Sequence, residues 1–421
     1  MIKKTIRSAA VGACIVMMLT GCGVVDPVAK EKLPVETIEV EVPDTKSEIP
    51  TEALATEAEL TEDDPATGEE TPQEVAVYVE MQPGSASVSI SKRNFPDKKF
   101  REYVSASFDI DHDGILSLEE IKVVDKIEVK GAEIQSLKGV EFFTELTELT
   151  VSGNKLSSLD VSMNSKLEVL DCSLNQLTLL DVSANVELTE LNCSDNELTD
   201  FRPGANTTLK KLTCDGNPMT ALNLSGCEAL EEVHCTYDEL VKLDVTGCEK
   251  LTALYCGSNH LTALDVSKNK ALVTLSCAEN ELKQLDVSAN VDLEDLRCAY
   301  NHIAALDVST NLKLVTLGCS FNELTELDVS RNTALMDLGC AYNQLTKLDV
   351  RRNTALTELL CYGNQLTQLD VSRNRALVIL SCAFNQLKTL NVGYNRSLMT
   401  LYCDSEVQLR GVGKDVAIIR Y

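Results

Sequence analysis

The chain has 421 residues and 44% of them are hydrophobic, enough apolar material for a large core. Acidic side chains outnumber basic ones 65 to 38, a formal charge of −27, which argues against a polyanionic partner such as nucleic acid and suits a well-solvated surface. No apolar run reaches about 18 residues, so an ordinary membrane-spanning helix is excluded. The 4 histidines share no metal-ligand spacing, and no nucleophile elbow or phosphate loop is present, so the expectation is that the chain is not an enzyme.

Residues 1–22 read as an export signal. Lys3, Lys4 and Arg7 form a charged start, and Ala9 to Leu19 a short apolar core. Leu19-Thr20-Gly21-Cys22 then resembles the lipobox of bacterial lipoproteins. That resemblance implies cleavage before Cys22 and a lipid anchor on its thiol. Residues 23–92 are rich in Glu, Thr, Pro and Ala, a composition that cannot offset ordering entropy. They are expected to form a disordered acidic tether.

Residues 93–124 carry the sharpest chemical motif. Asp109-Ile-Asp111-His-Asp113-Gly114-Ile115-Leu-Ser117-Leu-Glu-Glu120 fits the calcium-loop pattern D-x-D-x-D-G-x5-E. Calcium is a hard cation that takes oxygen ligands. Carboxylates of Asp109, Asp111 and Asp113, the Ile115 carbonyl, the Ser117 hydroxyl or a bridging water, and Glu120 would supply them. Phe100, Val104 and Phe108 fall on one face of a helix starting near Pro96, and Leu118, Ile121 and Val124 suggest a second, short helix. The segment resembles an EF-hand. A single loop of this kind points to a structural Ca2+ site in an amino-terminal cap rather than to a switch.

In residues 125–145, Ile127, Val129, Ile134, Leu137 and Val140 keep a coil-like spacing, and Ser136-Leu-Lys-Gly-Val140 resembles the first repeat of internalin-like proteins. One irregular starting turn is expected.

From 146 to 403 the chain repeats every 21 residues. Cys172, Cys193, Cys214, Cys235, Cys256, Cys277, Cys298, Cys319, Cys340, Cys361, Cys382 and Cys403 mark the register, and Val151 holds the slot one period earlier. In Leu314-Val-Thr-Leu317-Gly-Cys319, Leu317 and Cys319 alternate with Gly318, the pattern of a strand with one buried face. One such turn cannot bury its own leucines, whereas stacked turns bury them in a continuous column. The template L-x-x-L-x-C-x-x-N-x-L-T-x-L-D-V-S-x-N resembles the leucine-rich repeat family. The fold class expected is therefore a repeat solenoid with parallel β-strands. The resemblance implies that the amides of Asn154, Asn175, Asn196 and their successors satisfy turn backbone groups along a ladder, which Asp238 breaks.

Of the 16 cysteines, twelve take the inward strand slot as small hydrophobes, and free buried thiols are expected there. Cys227 and Cys248 occupy an asparagine slot and are either a bridged pair or ladder variants. Arg202-Pro203-Gly204 departs from the template, and a local bulge is expected. Residues 404–421, with Val407, Leu409 and Val416 to Tyr421, are expected to fold over the last rung.

The outward residues would carry recognition. Tyr237, Tyr300, Phe321, Tyr342 and Phe384 each precede the ladder residue. Tyr255 and Tyr402 precede the strand Cys, and Tyr362 follows it. Rigid aromatics of this kind carry interface energy and stack on sugars. The competing reading is that they only cover the turn. A second column, Asp244, Asp265, Asp286, Asp307, Asp328, Asp349 and Asp370, is read as a solvated face offset by nearby arginines. Together these features describe an exported lipoprotein of the bacterial surface that binds a protein or glycan partner through its strand-bearing face. A purely structural spacer of the envelope is the alternative.

Overall fold

The computed structural model describes residues 87–421. The export signal, Cys22 and residues 23–86 of the expected tether lie outside them. The rest of that stretch departs from the expectation. Val88–Ser89 (β1) pairs antiparallel with Ile115–Leu116 (β2), and Val88 is buried. Residues 87–92 thus belong to the cap. The acidic loop of residues 109–120 contributes a short strand whose polar backbone needs a partner, and β1 supplies it.

Helix α1 spans Lys98–Phe108. Asp97 caps it, its Oδ1 accepting from the amides of Lys99 (2.8 Å) and Phe100 (3.0 Å), which fills two of the free donors of the first turn. Its other oxygen accepts from the Gln135 amide at 2.8 Å and so ties the helix to the first coil. Helix α2, Leu118–Lys122, opens with a reciprocal capping box between Ser117 and Glu120. The cap seals the leucine column with a cluster of rings. Phe95 lies 5.8–6.5 Å from Phe100, Phe142 and Phe143, and Phe95, Phe100 and Phe143 are fully buried. Gly139 has a positive φ of 109°, and a Cβ there would sit 2.2 Å from the Phe95 ring. Both constraints require glycine, which accounts for its place in Ser136-Leu-Lys-Gly-Val140.

The repeats form a parallel sheet of 15 strands. It begins with Lys126–Glu128, runs through thirteen repeat strands and ends at Ala417–Arg420. Successive coils pair in register: Thr316 with Asp337, Leu317 with Leu338, Gly318 with Gly339. Residues one period apart therefore stack, and the buried set Leu314, Leu317, Cys319, Leu324, Leu327 and Val329 recurs in every regular coil.

The ladder works as expected. In the coil of Asn322, Nδ2 donates to the carbonyls of Cys319 (3.1 Å) and of Cys298 one coil earlier (2.9 Å), and Oδ1 accepts the Ile303 amide (3.0 Å). A second column does similar work: Asn332 Nδ2 donates to the carbonyls of Val308 (2.9 Å) and Asn311 (2.8 Å). These amides satisfy buried turn carbonyls that no strand can reach.

All cysteines among the described residues are free and buried, and burial pushes the thiols of the column upward in pKa, that of Cys298 to about 12. Cys227 and Cys248 are ladder variants rather than a bridge. The Cys248 thiol donates to the Leu224 carbonyl at 3.3 Å, as Asn269 Nδ2 donates to Val245 one coil on. Arg202-Pro203-Gly204 forms no bulge in the pairing: Leu179–Asp181 meets Asp200–Arg202 in register, and Gly204 takes the turn at φ 67°.

The carboxy terminus also corrects its expectation. Gln408–Arg410 pairs with Thr389–Asn391, and Ala417–Arg420 with Thr400–Cys403. Residues 404–421 therefore add one more coil instead of folding over the last rung. Val407 takes an inward slot, and Arg420 donates to the carbonyls of Asp404 (3.2 Å), Ser405 (2.9 Å) and Val407 (3.2 Å).

Candidate functional site

The chain turns sharply after each strand so that the ladder asparagine can reach back to its carbonyls. The residue before that asparagine takes the left-handed backbone region in most coils, where Gly153, Gly216 and Gly363 fit freely. Tyr237, Tyr300, Phe321, Tyr342 and Phe384 hold the same position with φ of 49–57°, a conformation that costs a bulky side chain about 1–2 kcal/mol.

Three of these rings stack along successive coils. Tyr300 and Phe321 lie 4.2 Å apart at 9°, and Phe321 and Tyr342 4.5 Å apart at 30°. A Cβ on Gly363 would sit 2.6 Å from the Tyr342 ring, so the ring lies over that glycine, and Tyr362 closes the stack edge-on at 5.2 Å. Tyr362 is 4% exposed, so it acts as the stop of the stack rather than as an outward contact. The rings turn their faces to one another.

The other four expected aromatics separate from this stack. Tyr255 stacks on His234 at 4.4 Å, Phe384 packs on Tyr421 at 5.0 Å, Tyr402 is half-buried on the last repeat strand, and Tyr237 stands 73% exposed. His234 and Tyr421 were not among the candidates. His234 lies one period before Tyr255, a signal available from the spacing, whereas Tyr421 reaches Phe384 only because the last residues form an extra coil.

Charge borders these rings. His234 Nε2 lies 2.6 Å from Glu232, and Arg297 pairs with Asp295 at 2.9 Å. Burial, then Glu232 and Asp295, push the Tyr255 hydroxyl above its usual range. Burial and the neighbouring Asp337 raise the Glu358 carboxyl. On the other segment, Asp265, Asp286, Asp307 and Asp328 accept from the side chain and amide of the serine two residues on, which lowers their pKa. Of the arginines near that column, Arg351 pairs with Asp349 at 2.7 Å.

The turn of residues 109–120 brings carboxylate oxygens of Asp109, Asp111 and Glu120 within 4.8 Å of one another. Asp109 Oδ1 accepts the Asp113 amide (3.1 Å) and its Oδ2 the Gly114 amide (3.2 Å), with Gly114 at φ 81°. Glu120 is drawn in by the Ile110 amide (2.7 Å), the Ser117 amide (2.8 Å) and the Ser117 hydroxyl (2.9 Å); the two Ser117 bonds and the Ile110 bond hold its carboxyl below the ordinary range. Asp113 turns Oδ1 to the Ile115 amide at 2.7 Å, outside the converging set. The Ser117 hydroxyl caps α2 and donates to Glu120. Three hard oxygen donors on a tight loop fit a divalent cation that favours oxygen.

Comparison with solved structures places the whole. The functional domain of InlJ from Listeria monocytogenes, described as including a cysteine ladder, superposes with a TM-score of 0.68 and 33% identity over 77% of each chain. This chain belongs to the internalin-like leucine-rich repeat proteins. An internalin (inlF) from L. monocytogenes (TM-score 0.59, 20% identity, 79% of this chain and 96% of that one) shares the fold. So does the leucine-rich repeat protein LIC12759 of Leptospira interrogans (0.60, 21%, 72% and 91%). No family model and no curated protein matches the chain. This internalin-like chain carries a column of free, buried thiols of its own.

Proposed function

We propose that this internalin-like solenoid is a bacterial surface recognition module that binds a protein partner through its strand-bearing side, centred on Tyr300, Phe321 and Tyr342 in the turns that follow the strands. The observation that carries this reading is the ring stack itself. Three bulky, half-buried residues hold the left-handed conformation that this repeat position takes in other coils too, and their rings stack into one rigid, preorganised ridge. Because the rings cover one another's faces, edges remain for contact, which favours side chains of a protein over the stacked faces a sugar needs. Tyr237, Tyr255, Phe384 and Tyr402 extend the surface on either side.

The cap binds Ca2+ through Asp109, Asp111 and Glu120, with Asp113, the Ile115 carbonyl and Ser117 completing the oxygen set as the loop closes. The ion supplies charge that lets the carboxylates converge and so stiffens the seal over the first coil. A lipid on Cys22 and an acidic tether would hold the module at the membrane.

The test is a capture experiment with the full chain against bacterial and host surface proteins and a glycan array, beside the Tyr300→Ala, Phe321→Ala, Tyr342→Ala variant. Loss of one protein partner by a variant that stays folded is the expected result. A partner retained by the variant, or no partner at all, would overturn the assignment and leave the envelope spacer. Calcium should raise the Tm of the wild type and not that of Glu120→Gln, and Cys22→Ala should release the protein from membranes.

A further inference from the structure

The asparagine column from Asn154 to Asn385 holds one carboxylate side chain, Asp238, which is 5% exposed. In a regular coil the strand cysteine carbonyl receives two amide donors. That of Cys319 takes Nδ2 of Asn322 (3.1 Å) and of Asn343 (3.0 Å). Around Asp238 two such carbonyls each receive one: Cys214 from Asn217 (2.8 Å) and Cys235 from Asn259 (2.8 Å). Asp238 Oδ1 accepts the Asn217 amide at 2.6 Å, where a regular ladder residue accepts the amide two positions further on. Its Oδ2 is buried with no partner, whereas the side-chain nitrogen of a regular ladder residue donates to carbonyls.

We propose that Asp238 is a proton-controlled break in the solenoid: protonated, it donates into the ladder and closes the coils of residues 214–260, and ionised, it loosens them. A carboxyl hydrogen on Oδ2 supplies one donor, enough for one of the two under-served carbonyls. A carboxylate sets its lone pairs against theirs. The same coils are already short of cross-coil bonds. Pro218 has no amide hydrogen to donate, and Cys227 and Cys248 replace asparagines of the second column.

The charged and titratable groups facing Asp238 are few. Asp215, one coil earlier, accepts from the Thr236 amide and hydroxyl (2.6 and 2.7 Å), and the thiols of Cys193, Cys214 and Cys235 lie on the inner side. The following coil presents Gly257, Ser258 and Asn259, none of which titrates. Burial pushes the Asp238 carboxyl up to about 7, the Asn217 bond opposing and the Asp215 charge adding. The folded value lies above the unfolded one, so the added stability is complete below about 4 and is lost as pH rises through about 7.

The experiment is hydrogen exchange on the full chain at pH about 5.5 and about 8.5, corrected for intrinsic exchange rates. It compares residues 214–260 with residues 300–395 of the same molecule, in wild type and in Asp238→Asn. Relative protection of 214–260 should fall about tenfold or more on going to the higher pH in wild type and stay level in the variant. A pH-independent ratio in wild type, or the same fall in Asp238→Asn, would overturn the proposal. Should Asp238→Asn fail to fold, Asp238→Ser serves as the uncharged control, and the wild-type ratio alone remains decisive if it is flat.

Discussion

Coils 256–395 and coils 203–248 share one template and differ in how they are bonded. In the first set each ladder asparagine serves its own coil and its neighbour, so every coil is held twice. In the second set, proline, cysteine and aspartate occupy positions where an amide or an asparagine would donate. The apolar column runs through both without interruption. Burial of leucine, valine and cysteine thus sets the path of the chain, while side-chain amides set how tightly adjacent coils are joined. In a solenoid the two can vary independently, because each repeat contacts only its neighbours.

The largest expected effect tests the shared part. Leu317→Ala should cost about 3–5 kcal/mol by denaturant melt, from lost burial plus the cavity, and Leu254→Ala in a coil next to the break should cost about as much. A much smaller loss at one site would mean that packing too differs between the regions.

The next test addresses the ladder. Asn322→Ala removes four hydrogen bonds of a buried amide and should cost about 2–4 kcal/mol. Asp238→Ala at pH about 8 removes one accepted bond and an unpartnered oxygen, and should cost less than about 1 kcal/mol or stabilise. Equal losses would break the distinction between the two regions.

Titration should then separate them by sign. The surface aspartates of the regular coils have lowered pKa values, that of Asp349 to about 2. Their contribution is present above the unfolded value of about 4 and lost as pH falls towards 2. The Asp238 contribution is lost in the opposite direction, as pH rises. Melting curves of wild type and Asp238→Asn between pH about 2 and 9 should therefore converge in acid and diverge above neutrality. The smallest effect belongs to surface ion pairs. Lys313→Ala breaks an exposed contact of 2.6 Å with Asp292 and should change stability by less than about 1 kcal/mol.

Much of this was legible from residues. The 21-residue spacing places equivalent residues on adjacent coils, so the Leu317–Leu338 pairing and the stacking of the asparagines follow from position, while the amide bonds of the ladder followed from the family resemblance. The aromatics were legible only as a column. Tyr300, Phe321 and Tyr342 stack because they are consecutive in it, whereas Tyr362, one residue out of register, turns inward as a stop. The turn of residues 109–120, with its converging carboxylates, was readable because its pattern is local. Its strand partner at Val88–Ser89 was not, since two residues in a polar stretch carry no period.

The sequence by itself determined the repeat, the inward column of leucine and cysteine, and the break at Asp238, because a strict period converts distance along the chain into contact in space. Only the tertiary structure decided what lies beyond the period. It showed that residues 404–421 extend the sheet, that Phe95 closes its start over Gly139, and that the second oxygen of Asp238 is buried without a partner. Those outcomes depend on which groups meet at the ends and at the irregular coils, where neighbours in space are not neighbours in register.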